Sequence, residues 1–573
     1  KMFRVHQVRK NLNEQGTVEE GTEEIPVDPI VIPIGNSIEI PTAEEIQIQK
    51  LQTEVQRATE TAQYYENQLE QIQKDANKQK EIEKKGYNVS YDNLMEITED
   101  FKPDGLSYVL HNMLLREVDE DAEKANQLMQ RHWDVTTGVK SPSNQLYSGR
   151  CWMFAGLNIL VRQLINGYKL EPTFELSQSY LFFWHYYEQY NDILNLFFFK
   201  PELQEPYNIE RDDILQEPLH DGANWINFYR LVKKYGVVPK PMYPESMSTA
   251  HSEEMKEILA NMLANDLHEM EDLNLKISVV NDNKAQKEAF VKFRNIKIKA
   301  VLKLLCKFMG KPPLNGQIKL KTVANNLAIS DPNHKKTSKI EVESPAKFFA
   351  AINNMGGAVI VDSRPLPLQP IDVDNLVQII NDPRDDNRVY ENDELGLLKL
   401  SQDAHWYTTE YQEHQTHRNL LYNLKDMKII SKIVLLSLRK YRPVWFACNM
   451  NTDVDKRRQG MDDKLFRTDL FTNFQLKMDK ATRMKYGRAH CNHAMLIVGA
   501  ETDENGEVIA FNVENSWGNS GPNGGFYKMT IGWFNERAYT WVIHRNIIEE
   551  VLETKIGEAP ENIGKFSRID FFG

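Results

Sequence analysis

The order of hydropathy patterns along the 573 residues predicts an α+β protein. Helical text leads, from 100 to 240 with long aromatic-rich stretches and from 250 to 345 as a charged region. Strand-like runs follow at 358–361 and 444–448, and two stronger ones at 495–499 and 508–513 flank a turn at Glu504, Asn505 and Gly506. The composition, 41% hydrophobic, 10% aromatic and 26% charged, belongs to a folded chain and excludes wholesale disorder or a collagen-like fibre.

Six segments are expected. Residues 1–42 are acidic and polar, and Pro26, Pro29, Pro33 and Pro41 interrupt any helix, so an extended arm is predicted. Residues 43–86 carry a heptad seam through Ile48, Leu51, Val55, Ala58, Ala62, Tyr65, Leu69, Ile72 and Ala76. Thr42 and Glu45 form a capping-box signature ahead of it, and Gly86 lies just past its end. That long helix either packs on its own body or forms a coiled coil with a partner protein. Residues 87–250 form a helical lobe, 251–440 a charged and mostly helical insertion, 441–555 a β lobe, and 556–573 a C-terminal arm.

The charge, 69 basic against 82 acidic residues for a net of −13, argues against phosphate-backbone binding as the main activity. The basic stretch at 292–307 reads as a solvated helix face before it reads as a nucleic-acid contact. No window approaches the roughly 20 apolar residues of a membrane span. Four cysteines, Cys151, Cys306, Cys448 and Cys491, contain no CxxC pair, so a reducing compartment, the cytoplasm, is expected. The opening Lys1, Met2 carries no secretory signal and leaves organelle import open.

Chemistry concentrates at two places. Cys151 follows Ser148, Gly149 and Arg150 and opens an apolar helix, where free backbone amides and the helix dipole stabilise an anion and are expected to lower the thiol pKa. Gln145, six residues upstream, supplies an amide that with the Cys151 N–H makes a pair of oxyanion donors. His493 starts a strand-like run, and Asn515 ends the next. An antiparallel hairpin would bring the Asn515 carbonyl to the imidazole, leaving the other ring nitrogen to face Cys151, with Trp517 roofing that bond.

A cysteine opening an apolar helix is by itself usually a core residue; Gln145, Trp152, His493 and Asn515 in this order make it a nucleophile candidate. His490, Cys491 and His493 lie too close in number beside a strand, without a fourth ligand, for a zinc site. The aromatics at 180–190 read as core, because a helix apolar on most faces must be buried.

The order Gln, Cys, His, Asn with CW and NSWG resembles the papain-like cysteine peptidases, and more finely the bleomycin hydrolase and aminopeptidase C branch. The finer resemblance rests on SGRCW (148–152), FELSQSYLFFW (174–184), DGANW (221–225), KYGVVPK (234–240), YPES (243–246), NDPR (381–384), PVWFAC (443–448), HAM (493–495) and VENSWG (513–518). It implies a papain-like two-lobed core, with Cys151 in the helical lobe and His493 and Asn515 in the β lobe. It also implies a cytosolic homohexameric ring, no metal or organic cofactor, and removal of N-terminal residues from peptide substrates, with Cys151 and His493 as a thiolate–imidazolium pair acting through an acyl-enzyme. In that branch the C-terminal arm lies in the cleft and its carboxylate receives the substrate's amino group. Where the family carries a stretch like WDPMGALA, this chain ends Ile569, Asp570, Phe571, Phe572, Gly573, about three residues shorter. Asp570 and Gly573 are therefore the expected arm residues, and exopeptidase character is expected to loosen. Residues 1–86 are foreign to the branch and motivate an alternative, a peptidase fold used as a scaffolding subunit docked through that extension.

Overall fold

A computed structural model describes residues 105–113, 120–553 and 561–562, except 139, 169, 205–207, 280–281, 317, 321–339, 355–356, 362–363, 385–388, 392–419 and 468–477. Nearly all of these fall within the unit from Ser107 to Gly573. The expected arm and heptad helix at 1–86 and the C-terminal residues Asp570 and Gly573 lie outside the described residues.

Helix α1 (Cys151–Tyr168) is apolar on almost every face and is accordingly buried. Phe154, Leu157, Leu160 and Leu164 are fully buried along it, each contributing roughly 1.5–3 kcal/mol relative to exposure. Helix α2 (Gln178–Phe199) begins where the Ser177 side chain accepts from the Tyr180 amide. It carries the aromatic run predicted to be core, and Tyr180, Phe182, Tyr186 and Tyr190 are buried. Helix α3 (Trp225–Tyr235) is capped by Asn224 and ends at Gly236, whose φ is +71°. A Cβ there would lie 2.2 Å from the backbone of Pro345, so glycine is required twice over.

Helices α4 (Glu253–Ile277) and α5 (Asn283–Met309) follow. Their buried residues, among them Leu259, Leu263, Phe290 and Leu305, join the same core as α1 to α3. The remaining face of α5 points outward, as its lysines require.

Further along the chain come strand β1 (Leu376–Ile380) and helix α6 (Met427–Arg439), capped by Asp426. Strands β2 (Val444–Cys448), β3 (His493–Thr502), β4 (Val508–Glu514), β5 (Phe526–Thr530) and β6 (Ala538–His544) complete the centre of the sheet. The described residues place twelve strands in this sheet, with central order β5-β4-β3-β2-β6-β1. The pairs β3–β4 and β3–β2 are antiparallel, with Leu496 opposite Glu514 and His493 opposite Cys448. A short strand, Val135–Thr136, pairs with β3 beyond the end of β2.

Strand β3 is buried on both faces. Ala494, Leu496 and Val498 pack into the helical core, while Met495 and Ile497 pack into a second core with α6 and the other strands. The two cores thus share one sheet. The stretch 251–440, expected as one insertion, is divided between them: α4 and α5 join the helical core, whereas α6 and Ile379 of β1 join the second.

Candidate active site

The turn into α1 is built around Asp221. Its Oδ2 accepts from the Gly149 amide at 2.8 Å and from Ser252 Oγ at 2.5 Å, its Oδ1 from the Tyr186 hydroxyl at 2.5 Å, and its carbonyl from Trp152 Nε1 at 2.8 Å. A Cβ on Gly149 would sit 2.8 Å from the Asp221 Cβ, so only glycine admits this approach. Arg150 is wholly buried beneath the turn. It donates from Nε to Ser148 Oγ at 2.7 Å, pairs with Glu245 at 2.8 Å, and lies between the rings of Phe154 and Phe182.

The turn delivers Cys151 as the first residue of α1, 8% exposed, with its Sγ accepting from the Ala494 amide at 3.4 Å. Ala494 directly follows His493, so a residue 343 positions away brings the imidazole's own strand against the thiol. Behind His493, its Nε2 lies 2.8 Å from Asn515 Oδ1. An amide oxygen only accepts, so Nε2 carries the hydrogen and Nδ1 is the nitrogen left with a lone pair. Trp517 covers this pair, its ring 4.9 Å from the imidazole at 35°.

Gln145 is 7% exposed and spans both halves. Its Oε1 accepts from Ser516 Oγ at 2.5 Å and its Nε2 donates to the Ser148 carbonyl at 2.5 Å. Backbone bonds continue the seam: the Gln145 amide donates to the Ser516 carbonyl at 2.8 Å and the Gly518 amide to the Ser143 carbonyl at 2.9 Å. One residue before Asn515, the buried Glu514 meets Arg162 Nη2 at 2.5 Å, Lys140 Nζ at 3.3 Å and Asn158 Nδ2 at 2.8 Å. Burial alone would raise that carboxyl, but Arg162 and Lys140 outweigh it and hold it below its ordinary value.

The expected lowering of the Cys151 pKa is overturned. Burial pushes the thiol up to about 11, against the opposing pull of the Ala494, Trp152 and Cys151 amides. Burial likewise pushes His493 down to about 4, with Asn515 opposing and Lys456 adding to the fall. The helix end is real, but loss of water around the sulfur outweighs it. Burial thus favours the uncharged form of each group taken by itself.

The structure brings Gln145, Cys151, Trp152, His493, Asn515 and Trp517 together. Asp221, Arg150, Glu514 and Ser516 were not singled out from the sequence, although Asp221 opens DGANW and Glu514 and Ser516 stand inside VENSWG. The signal for them was a charged or hydroxyl residue embedded in an otherwise apolar or aromatic motif.

Comparison with known proteins gives a consistent picture. The Peptidase C1-like family matches residues 88–566. Aminopeptidase C of Lactococcus lactis subsp. lactis (strain IL1403) is 29% identical over 465 residues, 79% of this chain and 91% of the relative. Bleomycin hydrolase of Homo sapiens is 28% identical over 419 residues, 72% of this chain and 82% of the relative. The crystal structure of PepW from Lactobacillus rhamnosis HN001 superposes with a TM-score of 0.66 at 21% identity, covering 83% of this chain and 98% of that one, so the papain-like α+β fold is shared. With 88–566 accounted for, the chain belongs to the Peptidase C1-like family.

Proposed function

We propose that the chain is a cysteine aminopeptidase in which Cys151 is the nucleophile, His493 the general base and acid, and Asn515 the group that orients it. The observation that carries this assignment is the 2.8 Å contact between His493 and Asn515, made on a strand whose next amide touches the Cys151 sulfur. Membership of the family and the likeness to aminopeptidase C and bleomycin hydrolase support peptide substrates.

In this reading the proton of Cys151 passes to His493 Nδ1 as the substrate arrives, creating both charges side by side without a net change in charge. The sulfur then attacks the scissile carbonyl carbon, and the oxyanion is received by the Cys151 amide and Gln145 Nε2. His493 returns its proton to the departing amine as the C–N bond breaks. Water then cleaves the thioester, releasing the N-terminal residue as a free acid and restoring the thiol. Trp152 and Trp517 hold the two sides of the site. The Asp570 to Gly573 arm as limiter of substrate length, a homohexameric ring in the cytoplasm, and a protein partner for 1–86 belong to the same proposal, and size measurement with and without 1–86 tests the assembly.

The decisive test incubates folded protein with amino-acid amides and short peptides from pH 5 to 9, with and without iodoacetamide. Hydrolysis lost on alkylation of Cys151, located by peptide mass spectrometry, and lost in Cys151→Ala, is expected. A folded chain inert on every substrate at every pH overturns the proposal.

A further inference from the structure

One cation close to this site takes no part in the chemistry above. Strand Val454–Asp455 turns back to Gly460–Met461, which runs parallel to β5 through Gly460 opposite Lys528. The turn between them carries Lys456, Arg457 and Arg458. Both arginines are neutralised: Arg458 pairs with Asp455 at 2.5 Å and Glu120 at 2.7 Å, and Arg457 with Glu120 at 3.0 Å. Lys456 has no ion pair among the described residues; it is exposed, and its Nζ lies 4.9 Å from the centre of the Trp517 ring. That ring in turn lies 4.9 Å from the His493 ring, tilted by 35°.

We propose that Lys456 determines specificity on the leaving side of the scissile bond, where it receives a carboxylate carried by the departing residue. The inference rests on the peptidase reading above. The departing amine takes its proton from His493, so the residue that carries that amine passes the imidazole's neighbours, Trp517 and then Lys456. The anion is either the α-carboxylate of a dipeptide or the side chain of Asp or Glu in the first leaving position; both present the same chemistry to an ammonium group.

The position has an electrostatic consequence. A free cation near His493 makes the imidazolium harder to form, as its contribution to the depressed imidazole pKa indicates. A bound carboxylate cancels that charge, so an acidic leaving residue improves both binding and proton transfer. The effect is expected in kcat as well as in KM.

The test compares four substrates: alanyl-alanine, alanyl-alaninamide, alanyl-aspartic α-amide and alanyl-lysinamide. The wild-type chain should favour at least one carboxylate-bearing substrate over the neutral amide by about 5-fold or more in kcat/KM, the scale of a partly desolvated charge pair. Preference for alanyl-alanine assigns the α-carboxylate, and preference for the aspartic amide assigns the side chain. Lys456→Gln should bring the ratio to about 1, Lys456→Glu should turn it towards the lysinamide, and Lys456→Arg should keep it. Turnover of the neutral amide by wild type without any preference overturns the role of Lys456 alone. So does a preference that survives in Lys456→Gln, or equal slowing of all four substrates in that variant. Failure of wild type to cleave any of the four while it hydrolyses amino-acid amides overturns this inference alone, and failure on the amides as well overturns the peptidase reading with it.

Discussion

Oδ1 of Asn515 serves two donors at once, the His493 imidazole at 2.8 Å and the Ser516 amide at 2.7 Å. The backbone bond fixes which end of the amide faces the ring, so the tautomer of His493 is set by the local conformation of the chain after β4. Asn515→Ala removes the acceptor and frees the ring. A lost hydrogen bond of about 1–3 kcal/mol predicts a fall of about 10-fold to 100-fold in kcat/KM with the fold intact. Circular dichroism with steady-state kinetics checks it, and full activity in the variant would show that the ring is oriented by something else.

Acid should destabilise the fold before carboxylates titrate. Burial pushes His493 down to about 4 and His185 down to about 3, whereas an unfolded imidazole titrates near 6.5. Below that value the unfolded chain binds more protons than the folded one. The contribution is therefore complete above pH 6.5 and declines as pH falls towards 4 and beyond, by on the order of several kcal/mol in all. Urea midpoints at pH 7, 6, 5 and 4.5 should fall in that order. His185→Gln, which can still donate to the His220 carbonyl that His185 meets at 3.0 Å, should flatten the slope; an unchanged slope would contradict the assignment.

Glu514→Gln leaves Arg162 and Lys140 buried without their carboxylate. A loss of about 3–5 kcal/mol is expected, because breaking a buried pair strands the remaining charge. Equilibrium denaturation measures it, and a loss below about 1 kcal/mol would mean that solvent reaches the cluster.

Gly149→Ala places a methyl group against the Asp221 Cβ. Overpacking of this kind costs about 1–3 kcal/mol in stability. The larger effect is expected on catalysis: a shift of the proposed nucleophile, Cys151, by about 1 Å is worth about 100-fold in rate. The expected signature is a fall in kcat with KM much less affected, measured on an amino-acid amide.

The legible parts of this molecule were those written in local pattern. The thiol at a helix start, the histidine opening a strand and the asparagine closing the next one each follow from a few neighbouring residues, and the β3–β4 hairpin that joins the last two needed only the turn at 504–506. Asp221 was not legible, since its partners Gly149, Tyr186 and Ser252 are separated in number by 72, 35 and 31 positions. The upward push of burial on the Cys151 thiol was not legible either. A helix terminus can be read from residue order, but the exclusion of water around Cys151 depends on how two cores close over it. Hydropathy also could not divide 251–440 between those cores, because apolar residues look alike whichever side of a sheet they cover.

The bonds joining 143–145 to 516–518 carry a mechanical implication. They fasten the loop of Gln145, the proposed oxyanion donor, to the loop that follows Asn515, which orients His493, so a displacement of one carries the other with it. Spreading the halves apart to switch the enzyme off would first have to unzip backbone pairing at its most sheltered point. The alignment of the proposed reacting groups is thereby carried along as one rigid insert.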